Sequence, residues 1–193
     1  DIDVNYMPFS QQSLQRPNSR VLKSSFTDKT WERGLISDVI ACNQNWLKKK
    51  PEQATDLLRA WFEAVNWWKE NPEEGNKIIA AGLGWPVSDV EMSQHGAIMP
   101  NLEQNLGAFE VGDNRPVCAS LPEGIPEIPT DCAAGYLSQT WDLFGKVYQE
   151  ADVLDKPATA QDGLNSSILK RLEDEGASEK LNSNKWIGRI GIN

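Results

Sequence analysis

The stretch ISDVIACNQNWLKKKPE, residues 36–52, joins two different patterns. An apolar run with one acid near its start, Asp38, leads through a polar link into an amphipathic segment that begins at Pro51. The run predicts a strand over 35–42 that is buried on both faces. An acid at the start of such a strand is costly to desolvate unless a structural group or a ligand partners it. The identity of that partner is the functional question posed by this stretch.

Downstream of this stretch the sequence predicts mainly helices. Pro51–Glu70 is the clearest, because proline suits the first helical position and apolar residues recur at helical spacing. That apolar stripe consists of Ala54, Leu57, Leu58, Trp61, Val65 and Trp68. Further helices are predicted from 72 to about 84 with Asn71 as N-cap, from the capping-box pattern Ser88–Glu91 towards Met99, and over 101–109, 136–151 and 163–175.

Upstream of it the sequence predicts short strands. Residues 2–6 and 21–25 carry β-branched and apolar residues in short runs, and a proline at position 8 ends the first run. Short strands followed by many amphipathic helices predict an α/β fold that is mostly helical with a few strands. A proline-rich stretch over 112–129 predicts a long loop, and the polar end from Gly176 is expected to lie on the surface.

Composition narrows the classes of partner. The chain has 193 residues and a formal net charge of −9, which argues against binding to nucleic-acid backbones or anionic lipid. The one basic cluster, Lys48 to Lys50, is expected to face water at the end of a short helical turn. No run approaches the roughly 18 apolar residues of a membrane span. A small anionic ligand stays possible, because local donors override the global field.

Cysteine, histidine and catalytic motifs point away from an enzyme. Cys42 is expected in the core, whereas Cys118 and Cys132 bracket the proline-rich loop and either form a disulfide or stay two free thiols. His95 is the sole histidine, so a zinc site is not expected. The sequence contains no GxSxG, P-loop, HExxH or GxGxxG pattern. Neither enzymatic activity nor a cofactor or metal is predicted.

The order and spacing of several segments resemble one protein family. These segments are IDVNYMPF (2–9), VLKSS (21–25), ISDVIA (36–41), NWLKKKPE (45–52), LRAWFEA (58–64) and ENPEE (70–74). Together they resemble the periplasmic substrate-binding proteins of ABC importers for nitrate, taurine, aliphatic sulfonates and thiamine precursors. The resemblance covers about 2–109 well and 136–172 loosely. One departure is Met7, which stands where the family has an acid before proline.

The resemblance implies a type II periplasmic binding protein fold, of which this chain would be the C-terminal half. Residues 1–34 would come from the second lobe and the approach to the hinge. Residues 35–193 would complete the first lobe, with a loop insertion at about 110–135 and a tail at 176–193. The implied setting is the periplasm or another extracytoplasmic space, and the implied partner is a membrane permease. The isolated chain would self-associate or pair with the missing N-terminal half, because apolar faces and sheet edges would stay uncovered.

The resemblance also implies a small anionic or zwitterionic solute, held in a cleft between the lobes. Asp38 would face that cleft at the crossover strand, where it would hold an ammonium group or, alternatively, pair with backbone or arginine. The wall of the cleft would be formed by Tyr6, Met7 and Pro8, and the crossover would be flanked by Trp31 and Ser37.

Two other functions stay open at this stage. One is binding or synthesis of a thiamine-pyrimidine precursor by a relative of the same fold, and the single histidine disfavours the synthetic version. The other is a ligand-sensing regulatory module that uses the same fold.

Overall fold

The described part of the protein is built from helices. The computed structural model describes residues 2–24, 38–94, 99–112 and 136–183. The helices in these ranges are α1 (Phe9–Leu14), α2 (Gln44–Lys49), α3 (Pro51–Glu70), α4 (Pro72–Leu83), α5 (Val87–Ser93), α6 (Leu102–Ala108), α7 (Tyr136–Glu150), α8 (Ala160–Gly163) and α9 (Ser167–Asp174), followed by a 3₁₀ turn at Ala177–Glu179. No residue of the described ranges lies in a β-strand.

The 20-residue helix α3 is the longest helix of the described residues. It packs against α2, α4 and α9. Pro51 lies at its first turn, where the missing N–H leaves no hydrogen bond unmade, and Lys69 lies in its last turn. One face of α3 is buried, and its members are Ala54, Thr55, Phe62, Val65, Trp68 and Lys69. Helices α2, α4 and α9 therefore pack around one long amphipathic helix.

The hydrophobic core lies where α3, α6, α9 and the 3₁₀ turn meet. Its buried members are Phe62, Leu102, Leu106, Val111, Leu169, Leu172 and Ala177. Leu102, Leu106 and Leu172 have no exposed surface. The chain from α9 onward runs along α3, with exposed ion pairs Arg171–Glu52 and Arg59–Glu175 joining the two. Because such pairs contribute little in water, the apolar contacts hold this junction together.

Two smaller assemblies are attached to this centre. Helices α4 and α5 pack together, and Gly84 ends α4 in the left-handed conformation at φ 67°. Trp85, in the turn between them, makes an edge-to-face contact with Phe9 of α1 at 5.8 Å. Helix α7 packs against α8. The contact between Phe9 and Trp85 joins the N-terminal region to the turn between α4 and α5.

The predicted α/β fold and the type II periplasmic binding protein architecture are wrong for the described residues. Segments 2–6, 21–24 and 38–42 have no strand partner and are almost wholly exposed. Val4 is 94% exposed, and Cys42, expected in the core, is exposed too. β-branched residues favour strands because their side chains fit a pleated, half-buried surface. No neighbouring strand in the described residues provides such a surface. The lobe boundary proposed at residues 34 and 35 lies outside the described residues.

Most of the predicted helices are confirmed, but two of their details are wrong. Asn71 does not cap α4: its side-chain amide donates backward to the Trp67 carbonyl at 2.9 Å. The Ser88 pattern does not cap α5, which begins at Val87 and ends at Ser93 instead of running towards Met99. Lys48 to Lys50 face water at the end of α2, as expected.

The buried face of α3 is rotated relative to the predicted apolar stripe. Leu57 and Trp61 belong to that stripe but are 56% and 46% exposed, whereas Phe62 and Lys69, outside it, are buried. The end of the described chain also differs from the expectation of a surface tail. Ala177 is buried, and Leu181 packs against the core.

Candidate functional site

The N-terminal segment folds back along α1. Residues 2–6 are extended, the chain turns at Met7 and Pro8, and α1 follows. The Ser13 hydroxyl donates to Asp3 Oδ2 at 2.5 Å, which ties the start of the segment to the end of the helix. The Ser10 amide donates to the Tyr6 carbonyl at 2.9 Å. These bonds give the segment a defined course beside the helix.

An open cleft of about 490 Å³ lies between this segment and α1. Its lining residues are Ile2, Asp3, Asn5, Phe9, Gln12, Ser13 and Arg16. The volume falls within the range of sites for small molecules, about 300–1,000 Å³. A second hollow, between α6, α7 and α8, has about 230 Å³ and is smaller than that range. The N-terminal cleft is therefore the stronger candidate.

The cleft combines charged groups of both signs with neutral amides. Arg16 supplies a planar guanidinium, which pairs with carboxylate, sulfonate or phosphate oxygens through two parallel hydrogen bonds. Asp3 supplies a carboxylate that keeps one oxygen, Oδ1, beyond its bond with Ser13. Within the described ranges Arg16 has no ion-pair partner. A ligand that carries an anionic and a cationic end matches this lining.

Three of the residues predicted to contact a ligand lie beside the cleft. The Tyr6 ring is 72% exposed and meets the lining residue Phe9 edge-to-face at 5.6 Å. Met7 is half-buried, and its sulfur accepts a hydrogen bond from Ser10 at 3.4 Å. Pro8 is fully buried and packs beneath the turn. Tyr6 is therefore the member of this trio that a solute reaches most easily.

Asp38 is the only one of the other three predicted site residues that the structure describes, and it is not brought to this cleft. Asp38 is exposed, begins an extended link to α2 and is not among the residues that line the cleft. In water its carboxylate needs no partner, so the desolvation that made it a candidate does not occur. Ser37 and Trp31 lie outside the described residues. A ligand role for these three stays a prediction.

Sequence reasoning missed the charged lining of the cleft. Asp3 falls within the predicted strand 2–6, and Gln12 and Arg16 fall between the two predicted N-terminal strands. Their meeting depends on a chain reversal at Met7 and Pro8 that no propensity encodes. Helical spacing gives no signal for this arrangement, because α1 ends at Leu14 and Arg16 lies beyond it.

A second polar cluster surrounds Lys69, which is buried in the last turn of α3. Its ammonium donates to the Ser183 carbonyl at 3.1 Å, and burial lowers the pKa of this group to about 8. Asn66 Oδ1 accepts the Ser183 amide at 2.9 Å, and Glu70 accepts the Ser183 hydroxyl at 2.6 Å. These bonds fasten residue 183 to α3, so the cluster has a structural role.

Two kinds of feature are absent from the described residues. No three side chains of His, Cys, Asp and Glu are grouped there so as to hold a metal ion. None of the described helices is both long and apolar enough to cross a membrane.

Comparison with protein-family models, with curated proteins and with solved structures finds no match to this chain. The geometry of the cleft and the resemblance between the quoted segments and the solute-binding family are therefore the observations that bear on function.

Proposed function

We propose that this chain is a solute-binding component of an ABC importer and captures a small anionic or zwitterionic solute such as taurine, a sulfonate or nitrate. The cleft beside α1 is the binding site in this proposal. The resemblance of the segments within residues 2–109 supports the importer context, and the lining of the cleft supports the class of solute. The second component implied by the proposal is a membrane permease.

The observation that carries the solute class is the presence of Arg16 and Asp3 in one cleft. Arg16 would hold the anionic end of the solute through its guanidinium fork. Asp3 would accept a hydrogen bond from an ammonium group on the other end. Asn5 and Gln12 add amide donors and acceptors that suit the remaining polar atoms.

Overall acidity does not oppose this solute class. A net charge of −9 weakens the approach of anions from a distance. That field is screened within about 8 Å at physiological salt, whereas a contact with Arg16 acts at shorter range. A zwitterion experiences little net force from the field and benefits from both charged groups. Taurine is therefore the solute that we expect to bind best in this class.

Titration calorimetry with a panel of solutes tests the proposal. The panel contains taurine, an aliphatic sulfonate without an amine, nitrate and a pyrimidine. Arg16→Gln should weaken binding of taurine and of the sulfonate by about 10- to 100-fold, because a hydrogen bond to a charged group is lost. Asp3→Asn should weaken taurine by a similar factor and leave the sulfonate nearly unchanged.

Arg20→Gln is the matched control, because Arg20 is exposed and does not line the cleft. It removes the same charge from the same region and should leave both affinities unchanged. Binding of none of the solutes to the unmodified chain contradicts the solute class. Equal effects of Arg16→Gln and Arg20→Gln would place the site elsewhere. A preference for the pyrimidine would support the thiamine-precursor alternative.

A further inference from the structure

Helix α3 carries an apolar face that no described element covers. Its members are Leu57, Ala60, Trp61, Ala64 and Trp67, and all are exposed. Leu57 is 56%, Trp61 46% and Trp67 42% exposed. Spacings of three and four residues place them on one side of the helix, away from Phe62 and Val65 in the buried face. We call this set the α3 stripe.

The α3 stripe has the shape of a helix–helix contact. It covers ten residue steps, or about 15 Å along the axis. Ala60 and Ala64 are small residues at its middle, which permits close approach of a second helix. Trp61 lies between the two alanines and Trp67 lies beyond them, and both tryptophans offer large apolar surface. Two large aromatic residues in one exposed row are typical of an interaction surface and not of scattered surface apolar residues.

Charges of opposite sign lie beyond the two ends of the stripe. Lys48, Lys49 and Lys50 are exposed before the start of α3. Glu73 and Glu74 are exposed in the first turn of α4, just after α3 ends. A second α3 laid antiparallel on the first therefore places the lysines of one copy near the glutamates of the other, and the reverse contact forms by symmetry. Parallel pairing would instead place lysines against lysines.

We propose that the α3 stripe is the interface of a two-fold symmetric homodimer in which the two α3 helices run antiparallel. A register centred on residue 62 sets Leu57 opposite Trp67 and Ala60 opposite Ala64. The alanines let the helices approach, and the tryptophans fill the space beside them. The interface is separate from the cleft beside α1, so this inference does not depend on the proposed solute.

Sedimentation equilibrium over a wide range of protein concentration measures the dimer. A reductant is included because Cys42 is exposed and can form an intermolecular disulfide. The unmodified chain should show a reversible monomer–dimer equilibrium. Trp61→Glu should weaken it by about tenfold or more, because it places a charge in the middle of the apolar contact. Ile78→Glu, at an exposed apolar position on α4 outside the stripe, should leave it unchanged.

Charge reversal tests the antiparallel arrangement. Glu73→Lys/Glu74→Lys leaves lysines at both ends of the stripe, and Lys49→Glu/Lys50→Glu leaves mainly acids at both ends. Each variant alone should dimerise about tenfold more weakly, because like charges face each other. An equimolar mixture should form the heterodimer at about the affinity of the unmodified chain. Circular dichroism verifies that both variants stay folded.

Three outcomes overturn the proposal. The first is that the unmodified chain stays monomeric at every concentration. The second is that Trp61→Glu and Ile78→Glu have equal effects on dimerisation. The third is that mixing the charge-reversed variants restores no association. The first outcome would mean that another protein or another part of this chain covers the stripe. The last two would place the self-contact on a different surface or in a different orientation.

Discussion

Gly75 in the first turns of α4 lies directly against the indole of Trp68. A Cβ at this position would be 2.1 Å from Trp68 Cδ1. The indole cannot retreat easily, because Trp68 is 7% exposed and its Nε1 donates to Asn76 Oδ1 at 2.9 Å. The missing side chain at this single residue is therefore what allows α4 to fold back onto α3.

Gly75→Ala should lower the free energy of unfolding by about 1–3 kcal/mol, because overpacking forces the indole or the helix to move. Urea unfolding measures the change. Gly82→Ala is the matched control on the same helix, since a Cβ there meets nothing within 4 Å. It should raise the free energy of unfolding by about 0.4–1 kcal/mol, because alanine restricts the unfolded chain. If both variants behave alike, the contact with Trp68 does not matter.

At the scale of elements, the two capping patterns in the sequence have different outcomes. The Ser88–Glu91 pattern makes no side-chain cap on α5. The Asn101–Gln104 pair forms a true capping box on α6, with the Gln104 amide donating to Asn101 Oδ1 at 2.8 Å and the Asn101 amide donating to Gln104 Oε1 at 2.7 Å. The Asn101 side chain also donates to the Asn182 carbonyl at 3.1 Å. One residue thus starts a helix and anchors a distant segment.

Asn101→Ala should lower the free energy of unfolding by about 1–2 kcal/mol, because it removes the cap and leaves buried backbone groups without partners. Ser88→Ala, the comparison variant, should change it by less than about 0.5 kcal/mol. Thermal unfolding followed by circular dichroism resolves the difference. A larger loss from Ser88→Ala than from Asn101→Ala would show that α5 depends on the cap that the sequence suggested.

At the scale of the whole molecule, Lys69 links α3 to residues near the end of the described chain. Burial lowers the pKa of its ammonium from 10.5 to about 8. The unfolded chain therefore binds more protons than the folded chain between these two values. Below pH 8 the folded protein carries the full penalty of a buried charge. The penalty declines as pH rises through 8 towards 10.5, so this group makes the protein more stable at alkaline pH.

Lys69→Met should remove this pH dependence. The full penalty corresponds to about 3 kcal/mol. The bond to the Ser183 carbonyl offsets part of it, so the variant should be more stable than the unmodified chain by about 1–2 kcal/mol at pH 7. This gain should vanish or reverse at pH 10. Urea unfolding at both pH values measures it, because other titrating groups cancel in the difference between the two proteins.

Lys77→Met is the control for that experiment, since Lys77 is exposed on α4. It should show nearly the same stability difference from the unmodified chain at both pH values. A Lys69→Met variant with the same behaviour would mean that the Lys69 ammonium is hydrated in the folded protein. A loss of stability at pH 7 would mean that the bond to Ser183 outweighs the burial of the charge.

The sequence by itself determined where the helices form. Helix α3 is specified by local signals: Pro51 at its start, the repeated apolar spacing up to Trp68 and the Asn71-Pro72 pair at its end. Local signals suffice because a helix makes its backbone hydrogen bonds within its own segment. The exposed lysines at the end of α2 were equally predictable, since a charged end in water needs no distant partner.

Only the tertiary structure decided that the predicted strands do not form in the described residues, which face of α3 is buried and which residues line the cleft. A β-strand needs a neighbouring strand for its hydrogen bonds. The apolar sequence of 38–42 therefore could not show that this segment has no strand partner. Whether Trp61 or Phe62 faces inward depends on where α6 and α9 pack. Asp3 and Arg16 line the same cleft because the chain reverses between them. Each of these outcomes depends on contacts between residues distant in sequence, and local propensity carries no information about such contacts.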